Sequence, residues 1–153
     1  MAIPKRHEVP MKLYLAGPLF TTPEQDWNTA LALRLTAAGH EVFVPQASQL
    51  PDPTAEDIFR KDMEGLDWAD AVVAIMDGSD PDSGTAWECG YAYARAKPIV
   101  TFRSDFRRPG EVRGIAFNVM IWVSADAHVE LPLVTVDDAA VAIVEALAAL
   151  PIR

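Results

Sequence analysis

An acidic side chain lies on the apolar face of a helix predicted over residues 55–69. Asp62 falls between Ile58 and Leu66 in an i, i+4, i+8 series, and so lies inside the apolar stripe of the helix. The stripe consists of Ile58, Phe59, Met63, Leu66 and Ala69. A carboxylate on a buried face is costly unless it is paired or used in chemistry. Asp62 is therefore a candidate acid–base residue, and a position near the sheet edge, where it would reach water, is the alternative.

A second carboxylate, that of Glu88, is the only one in a helix predicted over residues 85–97. That helix is apolar almost all round, which predicts that it is largely buried. Glu88 lies one turn from the start of the helix, and its side chain is suited to nucleophilic or acid–base catalysis. Arg95, two turns further along the same face, could instead neutralise Glu88 in a purely structural pair.

The loop before this helix, DGSDPDSG, offers three further carboxylates. Asp82, next to the helix start, is the one that we expect to contact a ligand, and Gly84 permits close approach of that ligand. Ser83 is predicted to cap the helix. Asp77 and Asp80 are equally consistent with a solvated acidic turn. The spacing and the closing glutamate of an EF-hand calcium loop are absent from the sequence.

The sequence predicts no metal site and no cofactor. The chain has one cysteine, Cys89, and its three histidines, His7, His40 and His128, are far apart and expected at the surface. Cys89 has no evident histidine partner and is expected to be a small core residue. Dinucleotide-binding, P-loop, nucleophile-elbow and zinc-protease motifs are absent from the sequence.

The length of 153 residues fits one domain, predicted over residues 11–153 after a loose tail over residues 1–10. A formal net charge of -9 argues against a nucleic-acid partner. The densest basic stretch, residues 103–113, is interpreted as a solvated loop. No apolar run has the length of a membrane span, and the first ten residues lack the apolar core of a secretory signal. We therefore expect a cytoplasmic protein that does not bind a membrane.

Predicted strands and helices alternate along the chain. Strands are predicted over residues 12–17, 41–44, 70–77 and 98–102, with a fifth strand, a short helix and an irregular loop within residues 103–134. Helices are predicted over residues 23–38, 55–69, 85–97 and 136–150. This alternation predicts a flavodoxin-like, doubly wound α/β fold with about five parallel strands in the order 2-1-3-4-5 and helices on both faces.

In such a sheet, ligands bind where strands 1 and 3 diverge, outside their carboxyl ends. The loop after the first strand therefore supplies Gly17, Pro18 and Phe20 as candidate ligand contacts. The loop after Asp77 forms the other side of the crevice. Glu88 lies directly behind this crevice, which favours a functional over a structural role for its carboxylate.

Several segments together resemble the nucleoside 2-deoxyribosyltransferase family. They are YLAGPLF at the end of strand 1, KDMEGLDWADAVVAIMDG across the second helix and third strand, and DSGTAWECGYAYARAKPIV around Glu88. A fourth segment, FRSDFRR followed by FNVMIW, is similar to the later part of the family. The resemblance covers nearly the whole chain after the tail. Its most specific part is the D-S-G-T-A-x-E-x-G-Y-A block.

The resemblance implies roles for five residues. Glu88 matches the family nucleophile, and Tyr14 matches a tyrosine that orients it. Asp62 and Asp82 match acids that contact base and sugar, and Asn118 matches an asparagine that reaches the sugar, often from a neighbouring subunit. Some family members also present an aromatic C-terminal residue whose carboxylate helps to hold the nucleophile. This chain ends in PIR instead.

The implied reaction transfers 2-deoxyribose between nucleobases through a covalent glycosyl ester on Glu88, with retention of configuration. Asp62 is the candidate proton donor to the leaving base. The expected partners are nucleosides and free nucleobases. A homo-oligomer is expected, because Trp68 lies on the polar arc of its predicted helix. The resemblance also implies a site that includes a residue of a neighbouring subunit.

Two other functions remain open. In a nucleoside or nucleoside 5′-monophosphate hydrolase of the same fold, water takes the place of the acceptor base. The loop AGPLFTT contains no arginine that could hold a phosphate, which favours an unphosphorylated substrate. A non-catalytic nucleotide-binding module would explain the loops but not the placement of Glu88 beside Asp62 and Asp82.

Overall fold

A computed structural model describes residues 9–151, so most of the predicted tail lies outside the described residues. The strands are β1 (Lys12–Ala16), β2 (Glu41–Phe43), β3 (Ala71–Ile75), β4 (Ile99–Arg103) and β5 (Ala127–Glu130). The helices are α1 (Thr22–Ala37), α2 (Ala55–Trp68), α3 (Ser83–Ala94), α4 (Val119–Ser124) and α5 (Val136–Ala149), with a 3-10 turn over Pro45–Ala47. The five strands are parallel in the order β2-β1-β3-β4-β5. The predicted flavodoxin-like α/β fold is therefore confirmed.

The sheet has β3 at its centre, and all five residues of that strand are buried. A parallel strand covered by helices on both faces needs apolar side chains at every position, and the sequence AVVAI provides them. On the edge side of β1, Tyr14 lies opposite Phe43 of β2, and on its inner side opposite Val72 of β3. These pairings fix which side chains of β1 face each layer of helices.

Side chains alternate along β1 between two apolar cores. Leu13 and Leu15 pack into the core formed with α1 and α5. Tyr14 and Ala16 point to the opposite face, where α2, α3 and α4 cover the sheet. A strand has a side-chain period of two, so this alternation directs Tyr14 towards the helices that contain both candidate acids.

The helix boundaries agree with the prediction to within about three residues, and the largest difference has a local cause. The third helix was predicted to continue to residue 97, but α3 ends at Ala94. Ala96 adopts a positive φ of 55°, which a right-handed helix cannot include.

The predicted burial of the two candidate helices was wrong in part. Only Thr85, Cys89 and Ala92 of α3 are buried, and Trp87 is 51% exposed. On α2, Phe59 belongs to the predicted apolar stripe but is 58% exposed. Several apolar side chains of the two helices line an open cavity and therefore stay partly exposed.

Three surface predictions were also wrong. Trp68 is half-buried, with the ammonium group of Lys12 5.6 Å from its ring centre, so it is not an exposed surface tryptophan. His40 is buried, and His128 is half-buried and stacked on the ring of Trp122. Cys89 is buried in the core as predicted. Within residues 9–151, no helix is both long and apolar enough to cross a membrane.

The basic stretch over residues 103–113 is not simply a solvated loop. Arg103 is the last residue of β4 and is only 2% exposed. Its guanidinium donates hydrogen bonds to the carbonyl oxygens of Met76, Gly78 and Arg107. Composition could not predict this, because three backbone carbonyls from two separate loops converge on the one side chain.

Candidate active site

The carboxylate of Glu88 lies at the junction of β1 and α3. The hydroxyl of Tyr14 donates a hydrogen bond of 2.7 Å to Oε1 of Glu88. Tyr14 is fully buried, so its hydroxyl cannot turn to water and its position is fixed by the surrounding core. A short bond from a phenol to a carboxylate stabilises the ionised carboxylate and orients its second oxygen.

Burial dominates the protonation of Glu88. Desolvation raises its pKa from 4.5 to about 7, and the negative charges of Asp62 and Asp82 act in the same direction, while the hydrogen bond from Tyr14 lowers it. The pKa of Tyr14 is raised, first by burial and then by Glu88. Within residues 9–151, Glu88 forms no ion pair with Arg95, whose guanidinium lies 6.0 Å from the ring centre of Tyr91. Such a carboxylate is easily desolvated further by a ligand and is then a strong nucleophile.

Asp62 lies on α2 and faces the same cavity as Glu88. It is half-buried, and this burial raises its pKa, while a 3.2 Å hydrogen bond from Nε2 of Gln49 lowers it. Oε1 of Gln49 is buried and has no hydrogen-bond partner among the described residues. Asp62 therefore does reach solvent, as the sheet-edge alternative expects, but it does so through the cavity.

Asp82 caps helix α3 and does not line the cavity, but its negative charge acts on Glu88. Its carboxylate accepts hydrogen bonds from the backbone N–H of Thr85 at 2.9 Å and from the Thr85 hydroxyl at 3.2 Å. Asp82 is thus the N-cap of α3, whereas the sequence predicted that Ser83 would be the cap. Gly84 lines the cavity beside Glu88, and a Cβ at this position would lie 3.1 Å from Oδ2 of Asp82.

The cavity between α2 and α3 has a volume of about 420 Å³, which suits a small heterocyclic ligand. Glu88 and Asp62 are its ionisable lining groups. The remaining lining residues are Ala55, Ile58, Phe59, Met63, Leu66, Gly84 and Trp87. Phe59 and Trp87 meet edge to face, with ring centres 5.8 Å apart. Apolar walls with two carboxylates can hold a flat ring, attack an electrophilic carbon and protonate a leaving group.

The remaining predicted ligand contacts do not line this cavity. Pro18 lines a separate cavity on the α1 side of the sheet, and Phe20 is exposed. Gly17 packs against Ile75, where a Cβ would lie 3.0 Å from the Ile75 Cβ. Asn118 caps α4 and lies in a recess beside the first turn of α3. One chain therefore brings together Glu88, Tyr14, Asp62, Asp82 and Gly84, but not Gly17, Pro18, Phe20 or Asn118.

Two residues of this site were missed by sequence reasoning. Gln49 follows a short 3-10 turn in a polar loop, and no motif distinguishes it from its neighbours. Trp87 belongs to an apolar helix, and its place in the cavity depends on how α3 lies beside α2, which no local pattern predicts. Among residues 9–151, no group of three or more His, Cys, Asp or Glu side chains is arranged to hold a metal ion.

Comparison with known proteins links this geometry to a family. The model of the nucleoside 2-deoxyribosyltransferase family matches residues 13–120. A 2-deoxyribosyltransferase from Bacillus psychrosaccharolyticus is 31% identical, with a TM-score of 0.66 over 85% of this chain and 89% of that one. A 2-deoxyribosyltransferase from Leishmania mexicana is 26% identical, with a TM-score of 0.64 over 87% and 96% of the two chains.

A CMP N-glycosidase from Clostridium botulinum is 19% identical, with a TM-score of 0.55 over 77% of this chain and 86% of that one, and this likeness shows the shared fold alone. No curated protein matches the chain in sequence. The family match extends from β1, through Asp62, Asp82 and Glu88, into α4. It covers well over half of the chain, so this protein belongs to the nucleoside 2-deoxyribosyltransferase family.

Proposed function

We propose that the protein transfers 2-deoxyribose from one nucleobase to another through a covalent ester on Glu88. The observation that supports this most strongly is the 2.7 Å hydrogen bond between the buried Tyr14 hydroxyl and Glu88, at the base of an apolar cavity that also contains Asp62. One carboxylate is oriented for attack, and a second with a raised pKa stands beside it.

In the first step, the ionised Glu88 carboxylate attacks C1′ of a 2′-deoxynucleoside through an oxocarbenium-like transition state. The N-glycosidic bond breaks, and its electron pair leaves with the base. Asp62 donates a proton to a ring nitrogen of that base, so that the base departs neutral. Phe59 and Trp87 supply apolar surface on which the base packs.

The reactive form has Glu88 ionised and Asp62 protonated. Burial raises the pKa of Glu88 to about 7, so part of the free enzyme holds a protonated Glu88 at neutral pH. A base bound in the cavity covers Asp62 and removes water from it, which increases the affinity of Asp62 for a proton. We infer that the substrate complex reacts with the proton on Asp62, because the Tyr14 hydroxyl continues to stabilise the ionised form of Glu88.

In the second step, an incoming base attacks C1′ of the ester from the face that the first base left. Asp62 accepts the proton that the new base loses, and the Glu88 carboxylate is released. Two displacements at the same carbon retain the configuration at C1′. A 2-deoxy sugar favours both steps, since it lacks the electron-withdrawing hydroxyl that would destabilise the oxocarbenium ion.

A hydrolase is the second candidate, and the openness of the cavity favours it. Trp87 is 51% exposed, so water can reach the ester unless a base covers it. Among the residues that the structure describes, those that line the cavity include no arginine or lysine that could hold a 5′-phosphate. We therefore propose an unphosphorylated nucleoside as the substrate in either case.

Incubation of a deoxynucleoside with a different free base, followed by chromatography, tests these proposals. Transfer produces a new nucleoside with unchanged anomeric configuration, whereas hydrolysis produces free base and free sugar only. Without an acceptor, the first base should be released in a burst equal to the number of enzyme sites, and intact-mass measurement should detect the sugar ester. If no added base, at any concentration, is incorporated into product, the transferase proposal is wrong.

We also propose that Asn118 completes the site of a neighbouring subunit in a homo-oligomer. Asn118 begins α4, whose side chains Met120 and Val123 are 75% and 74% exposed. An apolar helix face next to a residue that does not reach its own Glu88 cavity suits an interface between two copies.

Mixing two inactive variants tests this arrangement. Glu88→Gln and Asn118→Ala chains, dissociated and recombined in equal amounts, should regain about a quarter of the wild-type activity. Half of the dimers are then mixed, and one of the two sites in each contains both native residues. A fully active monomer by light scattering, or no regained activity after proven exchange, contradicts the proposal.

A further inference from the structure

The aromatic ring of Phe43 lies between Tyr14 and helix α2. Phe43 is the last residue of the edge strand β2 and is paired in register with Tyr14. The two rings are stacked, with centres 5.4 Å apart and planes 11° from parallel. Phe43 therefore packs along the face of the tyrosine whose hydroxyl binds Glu88.

On α2, the ring of Phe43 meets a glycine. Gly65 is buried in the interior of the helix, and a Cβ at this position would lie 2.6 Å from two ring carbons of Phe43. A glycine is unfavourable inside a helix, so its presence here coincides with a close approach that no other residue allows. Gly65 lies one turn after Asp62, on the helix that lines the cavity.

We propose that Phe43 is a positioning residue that holds the Tyr14 hydroxyl on Glu88, and that Gly65 makes room for it. A hydrogen bond weakens steeply when its length or angle changes. Tyr14 can swing only if the ring packed on its face yields, and Gly65 fixes how far that ring can move. The kinetic part of the inference rests on the function proposed above, but the geometric part does not.

The direction in which the pKa of Glu88 moves distinguishes this positioning role from simple packing. Glu88 is faced by Tyr14 from β1, by Asp62 from α2 and by Asp82 at the start of α3. Loss of the Tyr14 hydrogen bond raises the pKa of Glu88, because that bond stabilises the ionised form. Simple loss of packing would admit water and lower the pKa of Glu88 instead.

The experiment is a double-mutant cycle of Tyr14→Phe and Phe43→Leu, with the titration of Glu88 followed by its side-chain carboxyl ¹³C resonance. Glu88→Gln assigns that resonance. Each single variant should raise the titration midpoint, and the double variant should match Tyr14→Phe. Phe43→Tyr, which keeps the aromatic ring, should have the same titration midpoint as the wild type.

The control is Val42→Ala, which removes side-chain volume from the same strand but from the opposite core. It should lower stability without moving the midpoint. A midpoint that falls in Phe43→Leu, stays at the wild-type value, or shifts additively with Tyr14→Phe would overturn the inference, whether or not the protein is active. These outcomes need no turnover, so they are distinguishable from a failure of the proposed function.

The rate of base release provides a second test of the same cycle. Phe43→Leu should lower kcat roughly tenfold with little change in KM, because a misplaced catalytic group affects the transition state more than ground-state binding. In the Tyr14→Phe background, Phe43→Leu should lower kcat by less than about twofold. A full tenfold loss in that background would show that Phe43 acts independently of Tyr14.

Discussion

Two groups of carboxylates lie at the carboxyl ends of the strands, and their surroundings are opposite. Asp77 and Asp105, in the loops after β3 and β4, accept several hydrogen bonds, and Asp105 also forms an ion pair with Arg107. Among the described residues, Glu88 and Asp62 each have a single side-chain donor, Tyr14 and Gln49 respectively. Within residues 9–151, neither Glu88 nor Asp62 forms an ion pair.

The pKa of Asp105 is shifted in the direction opposite to those of Glu88 and Asp62. Hydrogen bonds from Arg107 hold the pKa of Asp105 well below its ordinary value, whereas burial raises the pKa of Glu88 and Asp62. A carboxylate surrounded by donors is stabilised as an ion and becomes part of the framework. A buried carboxylate without a cation remains able to bond to carbon or donate a proton. The sequence predicts part of this contrast, since Glu88 and Asp62 belong to helices with apolar faces, whereas Asp77 and Asp105 belong to polar loops.

The sharpest contrast should come from removing the central carboxylate. Glu88→Gln and Glu88→Ala should fold normally and lose base exchange by about 10³-fold or more, because both lack the carboxylate that the Tyr14 hydroxyl orients for attack. Exchange rates measured by chromatography and circular dichroism of the variants provide the check. Activity within about tenfold of the wild type would exclude Glu88 as the nucleophile.

Substitutions in the loops that contain Asp77 and Asp105 should instead lower the stability of the fold. Arg103→Met leaves three carbonyl oxygens without their buried donor and should cost on the order of 3 kcal/mol of unfolding free energy. Arg107→Met, in the same loop but exposed, should cost less than about 1 kcal/mol. Urea denaturation measures both. The activity of folded Arg103→Met should remain within about tenfold of the wild type, and a larger loss would mean that the two groups are functionally coupled.

The pH dependence of the unfolding free energy distinguishes the two groups of carboxylates further. The folded-state pKa of Glu88, about 7, lies above its unfolded value of 4.5, so the folded protein loses stability as the pH rises between these values. The loss integrates to roughly 3 kcal/mol. Glu88→Gln removes it, so the variant should gain stability over the wild type between about pH 5 and 8. Urea denaturation at both pH values measures the difference in unfolding free energy between Glu88→Gln and the wild type. Glu145→Gln, at an exposed position, is the control. The same difference at about pH 5 and pH 8 would contradict the prediction.

Much of this molecule could be predicted from its sequence because the relevant patterns are local. An apolar run gives β3, alternation with helices gives the strand order, and one acid in an apolar helix identifies Glu88. Burial that depends on distant partners could not be predicted. Arg103 is buried because two loops converge on it, and Phe59 is exposed because it lines the open cavity between α2 and α3. The position of Gln49 beside Asp62 has the same origin, since it depends on how the loop after β2 returns along α2.

The last test concerns the proton, where the two carboxylates of the site should have different roles. Asp62→Asn removes the proposed proton donor, and kcat should fall by about 10- to 100-fold for bases that leave poorly without protonation, and less for good leaving groups. The basic limb of kcat should disappear, because it reports loss of the donor proton in the substrate complex. The acidic limb reports ionisation of Glu88 beside a protonated and therefore uncharged Asp62, so it should stay close to its wild-type position. Asp80→Asn makes the same change of charge in an exposed loop residue and should leave both limbs in place. Profiles of kcat recorded between about pH 4 and 9 decide the question, since a basic limb that persists in Asp62→Asn would mean that Asp62 is not the proton donor.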